Sequence, residues 1–191
     1  MSRLTALRRK SPTLALVLLT SIGIVGFIDR IIMNVLVEPI KADFGLSDFQ
    51  IGLVNGLAFA VLNVVLGLAM ARVAERTRRL TLISFGTFFW SLATAATGFA
   101  TNFAQLLTAR IGVGVGEATL TPAAMSMIAD YFSRDRVSRA IGTYSIGLYL
   151  GAGIALLGGS AVVQAISVMD LSGGAFSSFA PWQLAFLAAA M

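Results

Sequence analysis

The chain alternates long uncharged runs with short clusters of arginine, on a repeat far longer than a helix turn. Thr13–Ile28 is apolar and follows Arg3, Arg8, Arg9 and Lys10; it carries on past Asp29 and Arg30 into Ile31–Val37. A basic start and an apolar stretch also describe a secretory leader. Here the run outlasts its own charges and more runs follow, so the pattern predicts an uncleaved first helix over about 12–37. Ile51–Ala71 is uncharged and has the ~20 residues that cross a bilayer, which predicts a second helix over 49–71. Leu80–Ala109 is uncharged but too long for one crossing. Gly98 and the pair Thr101–Asn102 supply a turn, giving helices over 80–98 and 103–130. A fifth follows over 140–166, and the Gly- and Ser-rich Asp170–Phe179 reads as a loop. Pro181 then opens a sixth helix, where a missing N–H costs nothing. Pro181–Met191 is too short to cross alone, so the chain is expected to stop inside helix six, as a truncated chain or a fragment.

Composition fixes the solvent of these helices. Apolar residues make up 57% of the chain, charged residues 12%, and mean hydropathy is +0.86. Soluble domains carry about twice that charged fraction. The expected fold class is all-α, a polytopic transmembrane bundle in a lipid bilayer. With no cysteine there is neither a disulfide framework nor a thiolate metal site. With no histidine, proton chemistry falls to carboxylates. No metal or other cofactor is expected, and a bilayer enzyme lacks its nucleophile or metal set.

The net charge of +5 is not read as a nucleic-acid surface, because of where it sits. Eleven Lys/Arg lie in the N-terminal segment and the 2–3 and 4–5 loops, against Lys41 alone in the alternate loops. That asymmetry places the N-terminus in the cytoplasm, of a plasma or inner membrane. Four ionisable residues remain inside spans: Asp29 and Arg30 in helix one, Arg110 and Glu117 in helix four. Charges are costly in lipid, so they should face a cavity or one another. Arg110 and Glu117 share a face about 10 Å apart along the axis, and Arg110 is the expected regulator of Glu117. Asp29 and Arg110 are each near the outer end of their helix and meet at similar depth. Gly52, Gly56 and Ala60 in helix two, and Gly147, Gly151, Ala155 and Gly159 in helix five, recur every four residues, a spacing that lets helices approach closely. Gly112, Gly114 and Gly116 follow no strand, so they carry no nucleotide-binding meaning.

The 2–3 loop, Ala71–Arg79, resembles the major facilitator signature G-x-x-x-D-R-x-G-R-[RK]: Glu75, Arg76 and Arg79 match in chemistry, while Ala71, Arg78 and Leu80 depart. Phe27–Arg30 resembles the aromatic-x-D-R segment of the spinster-type branch, and Arg110–Ala118, followed by Pro122, its helix-four signature R-x-x-x-G-x-G-E-A. Asp130 and Arg136 resemble the acid and arginine of the 4–5 corner. The resemblance implies a twelve-helix fold of two six-helix halves, each built from two three-helix inverted repeats. This chain would be the N-terminal half, with the C-terminal half absent. It further implies proton coupling and substrate binding at Asp29, Arg30, Arg110 and Glu117, and a cytoplasmic gate at Glu75, Arg76, Arg79, Asp130 and Arg136. The function so implied is secondary active transport by alternating access, coupled to protons (sodium suits carboxylates equally), of an amphipathic or anionic organic solute. Two alternatives stand beside it: a sugar-acid or organic-anion symporter of the same superfamily, and a non-transporting scaffold or receptor on a transporter fold.

The charge asymmetry makes a direct prediction. In intact cells Thr77→Cys and Ser133→Cys should resist an impermeant thiol reagent while Ser47→Cys labels; labelling of Thr77→Cys without permeabilisation reverses the topology.

Overall fold

The computed structural model describes residues 11–168 and 179–190, with the side chains of 57–59, 62, 75 and 159–168 outside that description. The described elements are helical: α1 Pro12–Val35, α2 Val37–Phe44, α3 Asp48–Gly52, a π-helical turn Leu53–Leu57, α4 Ala58–Arg76, α5 Arg79–Gly98, α6 Phe103–Glu117, α7 Leu120–Tyr131, α8 Val137–Val168 and α9 Pro181–Ala189. Among the described residues four stretches are long and apolar enough to cross a membrane: Pro12–Val35, Arg79–Gly98, Phe103–Tyr131 and Val137–Gly158. The loop expected between helices five and six, residues 170–178, lies outside the described residues.

Prolines set the breaks. A proline ring clashes with the carbonyl four residues earlier. Pro39 therefore acts at Val35, where α1 ends and the chain turns at Leu36 into α2. Pro122 acts at Ala118, and the span expected as one helix over 103–130 is two, with α6 ending at Glu117. Thr119 bridges that break, its backbone N–H and its hydroxyl both donating to the Gly116 carbonyl at 3.3 and 2.8 Å. The second span is also interrupted. Ser47 and Gln50 close a capping box that starts α3, and the π turn follows before α4.

α1 packs chiefly on α8, α5 on α6, and α9 on α5. Two apolar clusters result. Leu19, Ile83, Ala124, Ile128 and Tyr144 gather toward the arginine-rich end. Met33, Ile40, Val54, Leu106, Trp182 and Phe186 gather toward the opposite end. There Trp182 Nε1 donates to Asp43 at 3.0 Å, and Gln183 Nε2 donates to the Ala100 carbonyl at 3.0 Å. These bonds tie α9 to α2 and to the α5–α6 turn. Lys41 and Asp48 form an ion pair across the α2–α3 turn; the hydrogen bond to Asp48 holds the Lys41 ammonium above its ordinary pKa.

The two glycine stripes part company. On α8, a Cβ at Gly151 would meet Ile24 at 2.9 Å, and Ala155 is buried, so this face lies against α1. Gly159 has its surroundings outside the described residues. On the second span, a Cβ at Gly52 or Gly56 would meet nothing within 4 Å, and Ala60 is exposed. That stripe meets no helix among the described residues. A close approach of backbone to backbone lies elsewhere: a Cβ at Gly116 would meet the Gly86 carbonyl oxygen and the Trp90 backbone nitrogen, each at 2.8 Å. Backbone atoms cannot step aside, so only glycine fits where α5 crosses the α6–α7 break.

Gly116→Val should therefore destabilise the fold by about 1–3 kcal/mol. Gly67→Ala in α4, where nothing lies within 4 Å of the new methyl, should be neutral or slightly stabilising. Thermal unfolding in detergent of the two variants beside wild type measures the contrast; equal loss from both refutes the packing account.

Candidate functional site

Between the two apolar clusters lies a layer of charge. α1 contributes Asp29 and Arg30 on consecutive residues, and the α6 helix contributes Arg110 and Glu117 two turns apart. The helix runs five residues past Arg30, so neither α1 charge marks a helix end. Both ion pairs are interhelical and reciprocal. Arg110 Nη1 donates to Asp29 Oδ2 at 3.2 Å, and Arg30 Nη2 donates to Glu117 Oε2 at 2.5 Å. The expected meeting of Asp29 and Arg110 is present. The expected partnership of Arg110 with Glu117 is not: a shared face does not suffice when Asp29 holds the guanidinium from across the gap, and Arg30 reaches the glutamate instead.

The two pairs differ in exposure. Arg110 and Asp29 side chains are 3% and 2% exposed, while Arg30 is 38% exposed over a Glu117 at 5%. Each arginine also lies near an aromatic ring, Arg30 at 5.4 Å from the Phe27 centroid and Arg110 at 5.7 Å from that of Phe186, geometry that favours a cation. A cavity of about 30 Å³ opens beside Arg30 and Glu117, walled by Gly23, Phe27, Thr121 and Tyr144. Among the described residues, the second carboxylate oxygens, Asp29 Oδ1 and Glu117 Oε1, are buried without hydrogen-bond partners. Each acid is thus half-satisfied, an arrangement suited to taking up a proton or a donor group. Asp29 also borders a larger apolar cavity of about 260 Å³ between α1, α8 and α9.

One polar contact near this layer was not foreseen. Asn55, in the π turn, donates to Asn34 Oδ1 at 2.5 Å, and Asn34 stands one turn beyond Arg30 on α1. Two amides in apolar spans were the available signal; the π turn that brings them together leaves no mark in the periodicity.

At the basic end Arg79 bridges to Asp130, and its Nη1 lies 3.4 Å from the Ser126 carbonyl oxygen. That joins the start of α5 to the end of α7. Arg136 does not reach across; it sits 3.7 Å from its neighbour Asp135, whose carboxyl is held below its ordinary pKa by a Ser133 hydrogen bond. Arg76 is exposed. Glu75 lies on α4 with its side chain outside the described residues.

An apolar helical bundle with paired charges in mid-span is the architecture of a polytopic membrane protein. The family follows from direct comparison. The Major Facilitator Superfamily model matches residues 18–191, and the chain belongs to that family, one of transporters rather than enzymes. It is 36% identical over 148 residues to an MFS-type efflux pump of Mycolicibacterium smegmatis, covering 78% of this chain and 34% of that protein. Protein spinster homolog 1 of Rattus norvegicus is 32% identical over 175 residues, covering 91% of this chain and 32% of that one. A probable L-galactonate transporter of Escherichia coli is 30% identical over 149 residues, covering 76% and 32%. The crystal structure of a bacterial homolog of the human lysosomal transporter Spinster, inward-facing and unoccupied, superposes with a TM-score of 0.83 at 34% identity, covering 94% of this chain and 40% of that chain. The same homolog, inward-facing and occupied, gives 0.84. The spinster-type likeness read in Asp29–Arg30 and Arg110–Glu117 is thus met in whole-chain comparison. The chain spans about a third of the length of the curated relatives it matches.

Exposure ranks the two pairs energetically. Removing one member of a buried pair strands the other, at a cost of about 3–5 kcal/mol, whereas partly exposed pairs are worth far less. Asp29→Asn should lower the unfolding midpoint well below that of Arg30→Gln. A smaller loss from Asp29→Asn refutes the ranking.

Proposed function

We propose that this chain is the N-terminal half of a proton-coupled secondary transporter, whose solute carries an anionic group. The observation that carries the reading is the unequal pair of ion pairs. Arg30 is the accessible cation and its partner Glu117 is the buried acid. An incoming carboxylate or similar anion competes for Arg30, and Glu117, losing its counter-charge, gains affinity for a proton. Cargo and proton thus load together at one site. Arg110, sealed against Asp29, holds the two helices in register and is not the first anion contact. We place the N-terminus in the cytoplasm, supported by the eleven-to-one distribution of basic residues. Arg79 and Asp130 then act as a latch at the cytoplasmic end, made and broken as the two halves rock. Amphipathic solutes are one class that fits. Sugar acids are the second, favoured by the likeness to the probable L-galactonate transporter and by a guanidinium on α1 that is 38% exposed.

The full-length protein in proteoliposomes with an imposed pH gradient tests this. Glu117→Gln should abolish gradient-driven accumulation while leaving counterflow exchange, since the amide keeps shape but cannot titrate. Arg30→Gln should raise the half-saturating concentration of an anionic solute at least tenfold, as loss of a charge-assisted bond of about 1.5–3 kcal/mol implies. A Glu117→Gln variant that accumulates solute like wild type overturns the assignment and passes the role to Asp29.

A further inference from the structure

Glu117 has one oxygen that the ion pairs leave unexplained. Its side chain is 5% exposed and its Oε2 takes the Arg30 guanidinium. Its Oε1 is buried with no hydrogen-bond partner among the described residues. A buried acceptor left bare costs the desolvation of that atom. A missing donor has to stand in the cavity of about 30 Å³ beside it, whose walls come from α1, α6, α7 and α8.

Tyr144 on α8 meets that requirement. It is 1% exposed and lines the same cavity. Its hydroxyl reaches across to α1: a Cβ on Gly23, another wall of the cavity, would lie 3.4 Å from Tyr144 Oη. Among the described residues that hydroxyl has no hydrogen bond, although a buried phenol ordinarily finds one. α7 adds the side chain of Thr121 to the lining. The charged groups on the walls are Arg30 from α1 and Glu117 from α6; α7 and α8 contribute none, and Asp29 and Arg110 bind each other outside the cavity. A space of about 30 Å³ is large enough for a water, and an acceptor with two hydroxyls gives that water the partners it needs. Glycine at 23 keeps the space open, since a side chain there would run into Leu148.

We propose that a water held by Tyr144 Oη, with Thr121 beside it, is the second hydrogen-bond partner of Glu117, and that Tyr144 is thereby a positioning residue for the proton step. The inference rests on the proton role given to Glu117 above. Tyr144 donates to the water and the water donates to Oε1. Both bonds favour the carboxylate over the acid, so Glu117 stays ionised beside Arg30 and loads its proton when solute draws Arg30 away.

Infrared difference titration of the full-length protein in lipid reads this carboxyl directly. The band of protonated acid that vanishes in Glu117→Gln belongs to Glu117. Tyr144→Phe keeps the ring and removes only the hydroxyl. Its Glu117 midpoint should lie about half to one pH unit above that of wild type, the weight of one hydrogen bond. Tyr149→Phe, on the same helix and 73% exposed, should leave the midpoint in place. As Glu117 ionises in wild type, an O–H stretch that moves in heavy-oxygen water should change, and Tyr144→Phe should lack it. An unmoved midpoint in Tyr144→Phe overturns the proposal, as does an equal shift in Tyr149→Phe. A titration with no Glu117 band does the same. A shifted midpoint without the solvent-sensitive stretch overturns the water and leaves a direct bond. Gradient-driven uptake by Glu117→Gln tests the transport reading separately: if uptake survives while the infrared results stand, the water site holds and the transport role of Glu117 falls.

Discussion

Everything in this bundle is arranged around two arginines that must each cross from one helix to another. Four charges lie in a layer where an unpaired ion costs several kcal/mol. Neither helix can neutralise itself: Asp29 and Arg30 are adjacent and point about 100° apart, while Arg110 and Glu117 stand two turns apart. Reciprocal pairing is the arrangement that satisfies all four. It holds only if α1 and α6 are fixed in depth and rotation. The surroundings supply that fixity. The backbone contact of Gly116 with Gly86 and Trp90 seats α6 on α5, the Gly151 contact seats α1 on α8, and the two apolar clusters close the layer from both ends.

The break at Ala118 belongs to the same constraint. By ending α6 at Glu117, Pro122 places the acid at the last residue of a helix, under the reach of an arginine from α1. The result is a division of labour between chemically similar pairs. Asp29 with Arg110 is sealed and resembles a structural bolt. Arg30 with Glu117 opens on a small cavity and is the more exposed pair. Desolvation, not residue type, separates them.

The ends of the bundle are held by different means. At the basic end the tie between loops is an ion pair, Arg79 with Asp130, which is partly exposed and so easily exchanged. At the other end the ties are a buried tryptophan on Asp43, a glutamine on a backbone carbonyl, and edge-on rings of Phe44 and Trp182 at 5.5 Å. The bundle is thus fixed by packing at one end and by a partly exposed ion pair at the other.

Much of this was legible in the chain itself. Uncharged runs longer than about 18 residues leave lipid as the only solvent, arginine clusters mark one membrane face, and Phe27–Arg30 with Arg110–Glu117 carry the family resemblance. The helix breaks went unread, since the pattern predicts helices running through 12–37 and 103–130, although Pro39 and Pro122 each act four residues upstream. What the sequence did not determine is who pairs with whom. Arg110 and Glu117 share a face by spacing, yet a side chain with several rotatable bonds goes to the carboxylate that tertiary packing brings nearest, and that was decided by the approach of α1. Gly52 and Gly56 have the same spacing as Gly147 and Gly151, but among the described residues only the second stripe meets a helix. The π turn that sets Asn55 against Asn34 inserts one residue without changing composition or period. Such pairings depend on distances between helices, and helical periodicity holds information only about distances within one.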